Sequence, residues 1–450
     1  MTRNVIVIIY DKKQIRSLIE PDTFSHFCDN PDLSISLLCF RSLEDSLIDS
    51  PYPVTFMPDF PIFLRRSGSL LASALLWKKR LSSTAHLRRA NRAFGIKKIR
   101  EKSSYQARVG DEGISEIQRF IVRVVSLGLF YTYFSAVRSF FVNKFLTKMF
   151  NSLSINLEHV NGVFVPCTGV LTGLFDDFIR FFNRVKIVTI GIQDNWDNLS
   201  SKSFIDSSPN LFCVWGEQSK GHLLSIHALY KSEIIVMGSP RMTPYFSTEP
   251  DYEKYKKIPS QLRTRLTTPY VFFAGTGEGI DDLFIVDNIL EIIRNKPLSL
   301  IYRPHPNTRE PLTQKNLIDY TQKGVIIDNS SESKQVFYHC GVVMNCELLI
   351  TQYSTTLLEA LLCNKKVLLP GFLHRSVNYD YTDAVNTWAH FIGLPAFPNI
   401  FRSSTQKAFS EDFIKALEIP SLDSSLCANW MCAPIDSRAV LKEIAYSKFH

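Results

Sequence analysis

Three stretches hold residues able to grip and polarise a charged group where a strand gives way to a loop or helix. In "ITQYSTTLLEALLCNKKVLLPG" the hydroxyls of Ser354, Thr355 and Thr356 fall at such a turn. They would face outward with the first free amides of the helix and the positive end of its dipole, which suits phosphate. The competing explanation is an ordinary Ser/Thr N-cap, a role these residue types fill often. Glu359 lies one turn further in, beside the small Ala360, within reach of a ribose hydroxyl. In "IYRPHPNTRE" Pro304 and Pro306 stop a strand and fix the backbone around Arg303 and His305. That offers a cation and an imidazole, and His305 could donate to a phosphate or to charge developing on a leaving group. In "FAGTGEGIDD" Gly275, Gly277 and Gly279, interleaved with Thr276 and Glu278, permit close approach of backbone to a nucleotide. The spacing is neither a Walker A motif nor a full dinucleotide fingerprint, so its weight comes from its position after a first strand.

A fourth stretch poses a question. "GIQDNWDNLSSK" follows directly on "VKIVTI", so a buried-looking strand ends in Asp194, Asn195, Trp196, Asp197 and Asn198. Loops at the carboxyl ends of parallel strands are where open α/β sheets hold ligands. The plain alternative is a capped turn with Asp197 or Asn198 as N-cap.

The elements that must position these residues follow from hydrophobic patterning. Between about residues 160 and 240 apolar strands alternate with helical stretches, from "GVFVP" to "EIIVMGSP", which implies a mostly parallel sheet with crossover helices. "NVIVIIY", "SISLLCF" and "YPVTFMP" add strands to the same sheet. The pattern restarts after Pro269 with "YVFFAG". The predicted fold class is therefore α/β, two Rossmann-like domains facing a cleft. The first spans residues 1–242 and the second 269–430, joined by a polar linker at 243–268 and followed by a helix at 431–450 able to pack on either domain. Two domains also suit 450 residues, since single cores stop growing at about 250–300.

Composition narrows the class further. A hydrophobic fraction of 45% with 21% charged residues is that of a globular protein. Nine scattered cysteines without metal-ligand spacing exclude a disulfide framework and point to a reducing cytoplasm. "MTRNVIVIIYDKKQ" reads as a first strand and not a signal peptide. The net charge of +8 is concentrated between Lys78 and Lys102, where ten Lys/Arg stand against Glu101. An aromatic stretch follows, and residues 78–150 together are predicted to form a helical insertion. Its longest uncharged run, Val124 to Val137, has 14 residues, short of the roughly 20 needed to span a bilayer. Cations beside aromatic helices suit an anionic cytoplasmic leaflet, so the protein is expected on the inner face of the cell membrane as a peripheral protein. A nucleic-acid binder would show base-stacking aromatics within the basic run itself.

"YRPHP", followed some fifty residues later by "ITQYSTTLLEALLCNKKVLLPG" and preceded by "VWGEQSKGHL" and "VMGSPRM", resembles the GT-B fold glycosyltransferases of bacterial surface polysaccharide synthesis. The likeness, over about residues 160–420, is strongest to capsule-type and CDP-glycerol glycerophosphotransferase-like enzymes, and the motif pair also resembles bacterial sialyltransferases. It implies a nucleotide-activated sugar held by the second domain, a glycan or lipid-linked acceptor held by the first, and no cofactor or essential metal. Arg303 and His305 would then face the donor phosphate, Ser354, Thr355 and Thr356 would hold it, and Glu359 would bind ribose. "QDNWDN" stands where the glycerophosphotransferases have a histidine-glycine pair, which argues against glycerol phosphate transfer. In a GT-B cleft this loop faces the donor, and Asp194 or Asp197 becomes the base on the acceptor hydroxyl. Asn195, Asn198 and Trp196 then bind the acceptor sugar by hydrogen bonds and stacking. Asp194 is preferred because Asp197 is the better N-cap. The alternatives are a CDP-glycerol-type polyol phosphate transferase, a CMP-sugar transferase of sialic acid or Kdo type, and a nucleotide-sugar epimerase, which would have no use for an acceptor or for the insertion.

Overall fold

The computed structural model describes residues 3–28, 31–78, 120, 124–167, 173–202, 204–275, 282–305, 313–329, 338–372 and 389–449. Two sheets organise them. In the first, β1 (Arg3–Ile9), β2 (Leu33–Phe40), β3 (Val54–Met57), β4 (Val160–Pro166), β5 (Val188–Ile192), β6 (Leu211–Val214) and β7 (Glu233–Val236) lie in the order β3-β2-β1-β4-β5-β6-β7. In the second, β8 (Tyr270–Ala274), β9 (Ser299–Arg303), β10 (Val325–Ile327), β11 (Leu348–Ile350), β12 (Val367–Pro370) and β13 (Ile400–Ser403) lie in the order β10-β9-β8-β11-β12-β13. The pairings are parallel throughout. Strands such as β1, β4 and β8 are near-continuous apolar runs because helices cover both faces of a parallel sheet. The protein is α/β with two Rossmann-like domains. The strand order reverses between β1 and β4 and again between β8 and β11, and the crevice at such a switch point is where ligands bind.

β3 is an edge strand and β4 lies beside β1, so the chain between them must cross the sheet. Two described helices of that connection, Ile62–Lys78 and Gly128–Ser152, pack together. Phe60 lies 5.0 Å from Phe145 between ring centroids, and Phe150 stacks on Phe181 at 5.4 Å. Arg138 forks onto both carboxylate oxygens of Asp177 and also donates to the Leu64 carbonyl at 3.3 Å, with side chains 6% and 2% exposed for the ion pair. Residues 79–119 and 121–123, which carry most of the basic run, lie outside the described residues.

The C-terminal helix Ser437–Lys448 packs on the first domain. Leu441, Ile444, Ala445 and Phe449 join that domain's core. The Phe449 ring fills the space over Gly162, where an added Cβ would come within 1.9 Å of it. Met242, Tyr245 and Leu262, from the polar stretch between the sheets, are buried with the second domain. That stretch is folded onto the second domain and is not a free tether. Cys39, Cys167, Cys213, Cys340, Cys346, Cys363, Cys427 and Cys432 are free thiols.

Candidate active site

Side chains from the carboxyl ends of both sheets meet between the domains. Arg303, the last residue of β9, donates from Nε and Nη2 to Asp328 Oδ2 at 2.7 and 2.5 Å, while the Tyr338 hydroxyl donates to Asp328 Oδ1 at 3.1 Å. Its guanidinium lies over the Phe272 and Tyr338 rings at 5.0 and 5.4 Å. Nη1 donates to His339 Nδ1. That bond leaves the imidazole proton on Nε2, which lies 2.8 Å from Glu359 Oε2 and 3.3 Å from Thr356 Oγ1. Burial lowers the His339 pKa, Glu359 pulls it back and Arg303 pushes it down.

Glu359 is 2% exposed and its Oε1 accepts from Arg241 Nη2 at 2.5 Å. Burial alone would raise this carboxyl; His339 and Arg241 outweigh it and hold it at about 2. Oε1 is thus taken by Arg241, while Oε2 faces His339 and is buried without a well-formed hydrogen bond. Glu359 links His339 of its own domain to Arg241 from the segment after β7. Arg303 is shared in the same way, with three of its five donors on Asp328 and His339 and the side chain 12% exposed.

A third arginine completes the cluster. Arg16 lies on the helical turn Ile15–Ile19 that follows β1. Burial and then the neighbouring Arg241 hold its guanidinium below the usual value, Glu20 and Glu359 oppose this, and Arg303 adds to it. Arg16 thus shares its surroundings with Arg241, Arg303, Glu20 and Glu359, a cluster of mixed charge drawn from three separate segments.

The Ser/Thr motif opens the helix Thr355–Leu362. Ser354 occupies the N-cap position with extended backbone, yet its side chain makes no capping hydrogen bond. Its hydroxyl lies instead 3.3 Å from Thr351 Oγ1. The first-turn amides thus lack the cap that the plain N-cap explanation requires, and an anion can take that place. Gly275 directly follows β8, its N–H donating to the Arg303 carbonyl at 2.9 Å, and a Cβ there would meet Asp282 Oδ2 at 2.2 Å. Thr276, Gly277 and Glu278 lie outside the described residues. His305 is half-buried two residues beyond Arg303.

The loop after β5 divides its work among its residues. Gln193 staples it: Nε2 donates to the Asn195 and Trp196 carbonyls at 3.1 and 3.2 Å, and Oε1 accepts from Trp215 N at 2.9 Å. Trp196 is 1% exposed, its Nε1 donates to Gln218 Oε1 at 2.8 Å, and its ring packs against His390 and Phe391 at 5.2 and 5.3 Å. That ring is interior packing and not the sugar platform expected. Asn198 is likewise buried, donating to the Cys167 carbonyl and to Asp194 Oδ1. Asn195 and Asp197 remain half-buried on the cleft side. Asn195 Nδ2 donates to Asp197 Oδ1 at 3.0 Å and its Oδ1 accepts from Thr355 Oγ1 at 3.4 Å. Asp194, preferred as base, is 4% exposed and accepts from Asn198, whereas Asp197 is half-buried and directly precedes the helical turn Asn198–Lys202.

Arg16, Arg241, Asp328 and His339 escaped the motif reading. Arg241 sits inside "VMGSPRM" and Arg16 shortly after the first strand, positions that signal a strand's carboxyl end; His339 carries no local signal at all. Among the described residues no group of three or more His, Cys, Asp or Glu side chains is placed to hold a metal ion.

No family model matches the chain, and no curated protein matches it. Solved structures do. S. aureus MnaA in its UDP co-structure has a TM-score of 0.53 at 11% identity, covering 99% of this chain and 96% of that one. UDP-GlcNAc 2-epimerase from Methanocaldococcus jannaschii gives 0.52 at 11%, covering 99% and 100%. The Neisseria meningitidis UDP-GlcNAc 2-epimerase bound to UDP-GlcNAc gives 0.50 at 12%, covering 99% and 100%. At such identities the likeness speaks to architecture, and what it establishes, over nearly the whole chain, is the two-domain GT-B fold.

Proposed function

We propose that this chain is a glycosyltransferase, moving a sugar from a nucleotide-activated donor to a hydroxyl of a surface-glycan or lipid-linked acceptor. The observation that carries the reading is the convergence of Arg16, Arg241 and Arg303, from three distant segments, beside an uncapped helix N-terminus. The donor's phosphate would sit on the amides and hydroxyls of Thr355 and Thr356, with Arg16 and Arg241 facing the negative charge that grows on it as the glycosidic bond breaks. These cations would do the work for which other transferases recruit a divalent ion. Asp197 would accept the proton of the acceptor hydroxyl as that oxygen bonds to the sugar carbon, and Asn195 would orient it. Asp194 would hold the loop through Asn198. His305 stands at the donor side as the further candidate for leaving-group contact.

Epimerisation of a nucleotide sugar is the second reading, supported by the similar structures from S. aureus, M. jannaschii and N. meningitidis. Transfer is preferred because Asp197 is bonded to Asn195, which accepts from Thr355, so a carboxylate suited to an acceptor hydroxyl would stand near the proposed phosphate site. Thermal-shift screening with CMP, CDP, UDP and GDP identifies the base through ligand-induced stabilisation. Incubation of the matching sugar nucleotide alone, and then with a membrane-extract acceptor, separates the readings. An altered sugar nucleotide without acceptor would establish epimerisation, and phosphorus in the acceptor product would establish polyol phosphate transfer. Turnover is expected to survive a chelator.

A further inference from the structure

We propose that the outward face of the helix Gly128–Ser152 is the surface by which this protein lies on an anionic lipid bilayer. The proposal does not rest on the glycosyl-transfer reading. Leu129, Phe130, Tyr133, Phe134, Phe140 and Phe141 are exposed, between 44% and 89%. Their spacing of three and four places them along one side of the helix, while Arg138, Val142, Leu146 and Met149 are buried on the other. At roughly 200 Å² per aromatic side chain, the exposed part comes to several hundred Å², at or above the largest apolar patch of an ordinary monomer. The helix is pinned underneath by Arg138–Asp177 and the Phe150–Phe181 stack, so the face is presented on a rigid support.

Charge decides the occupant. The helices Ile62–Lys78 and Gly128–Ser152 carry Arg65, Arg66, Lys78, Arg138, Lys144 and Lys148 and no acidic residue. Arg65, Arg66, Lys144 and Lys148 are exposed beside the apolar face. Leu64 meets Arg138 and Phe60 meets Phe145, so the two helices run antiparallel and the cations of both border the same face. A second copy of the chain docked about a two-fold axis would oppose like charges. Anionic headgroups supply the counter-charge, with the aromatic rings at the acyl boundary. Among the described residues no helix is long and apolar enough to cross a membrane, so the contact is one of lying on the surface.

The test is co-sedimentation of the full chain with vesicles of phosphatidylcholine and phosphatidylglycerol in equal parts, against phosphatidylcholine alone, over a salt series. Binding is expected on the anionic vesicles and should weaken with salt. Phe130→Ser/Tyr133→Ser/Phe140→Ser should reduce the partition coefficient at least tenfold with unchanged circular dichroism. Lys144→Gln/Lys148→Gln should reduce it about tenfold on the anionic vesicles only. Equal binding by wild type and both variants overturns the proposal. So does a wild-type dimer in light scattering that the aromatic variant converts to a monomer. A Tyr133→Trp reporter already blue-shifted in the lipid-free monomer would show the chain's own residues covering the face, and would overturn it as well.

Discussion

Thr355 Oγ1 donates a hydrogen bond to Asn195 Oδ1 at 3.4 Å, joining residues 160 apart in the sequence and belonging to different domains. It sets the uncapped helix N-terminus of the second domain against the polar loop of the first. Thr355→Ala/Thr356→Ala removes two hydroxyls from the proposed phosphate site and is expected to weaken nucleotide binding about tenfold by calorimetry. Asn195→Ala should leave that affinity nearly intact and lower turnover. Unchanged affinity in a correctly folded double variant would remove the phosphate from this helix.

Arg16 and Arg241 separate binding from stability. Arg16 is exposed at the residue level although its guanidinium is partly desolvated, and no hydrogen bond of its side chain holds the fold together among those described, so Arg16→Gln should lower donor affinity by about tenfold or more, with a shallower salt dependence and little change in Tm. Arg241→Gln should weaken binding and also destabilise by about 1–3 kcal/mol, because Glu359 stays buried with half its charge partners gone. Equal Tm losses in the two variants would mean that both arginines are structural.

The two aspartates are told apart by charge-neutral replacement. Asp197→Asn cannot take a proton, and turnover should drop by about two to four orders of magnitude with donor affinity retained. Asp194→Asn should mainly cost stability, about 1–3 kcal/mol, through its bond with Asn198. The opposite pattern in steady-state kinetics would return the base to Asp194.

Acid should unfold the protein early. His222, donating to the Ala389 backbone, is pushed from its ordinary 6.5 down to about 4, chiefly by burial. The unfolded chain then binds the extra proton first, so the stabilisation is complete above about pH 6.5 and is lost as pH falls toward 4. Allowing for solvent at a half-buried ring, the loss is on the order of 2 kcal/mol. Urea unfolding at pH 7 and pH 5 measures it, and His222→Gln should flatten the difference. Glu359, held at about 2, adds a second loss only below its ordinary 4.5.

The crossover helix offers a test of packing. Asp177→Ala strands the Arg138 guanidinium, 6% exposed, without its carboxylate. A loss of about 3–5 kcal/mol in denaturant unfolding is expected. Arg138→Met/Asp177→Leu, which replaces both charges by apolar volume, should recover most of it.

How much of this was legible in the chain depends on the range of the forces involved. Strand and helix patterning is local, so the runs from "NVIVIIY" to "KKVLLPG" declared a doubly wound α/β protein with two sheets, and the turn at Ser354 to Thr356 marked a helix N-terminus. Burial and partner choice depend on what arrives from elsewhere in the chain. Trp196 has the residue type of a sugar platform, but His390 and Phe391 close over it. Glu359 has the spacing of a ribose ligand, but Arg241 and His339 reach it first, because an ionised carboxylate buried between the domains must find its partners inside the protein. Arg16, Arg241 and Arg303 stand on three separate segments and become neighbours only when the two switch points face each other. The sequence by itself determined which segments form strands and helices and where a helix N-terminus bearing hydroxyls lies. The tertiary structure alone decided which side chains remain for a ligand, since electrostatic pairing is governed by distance in space and not along the chain.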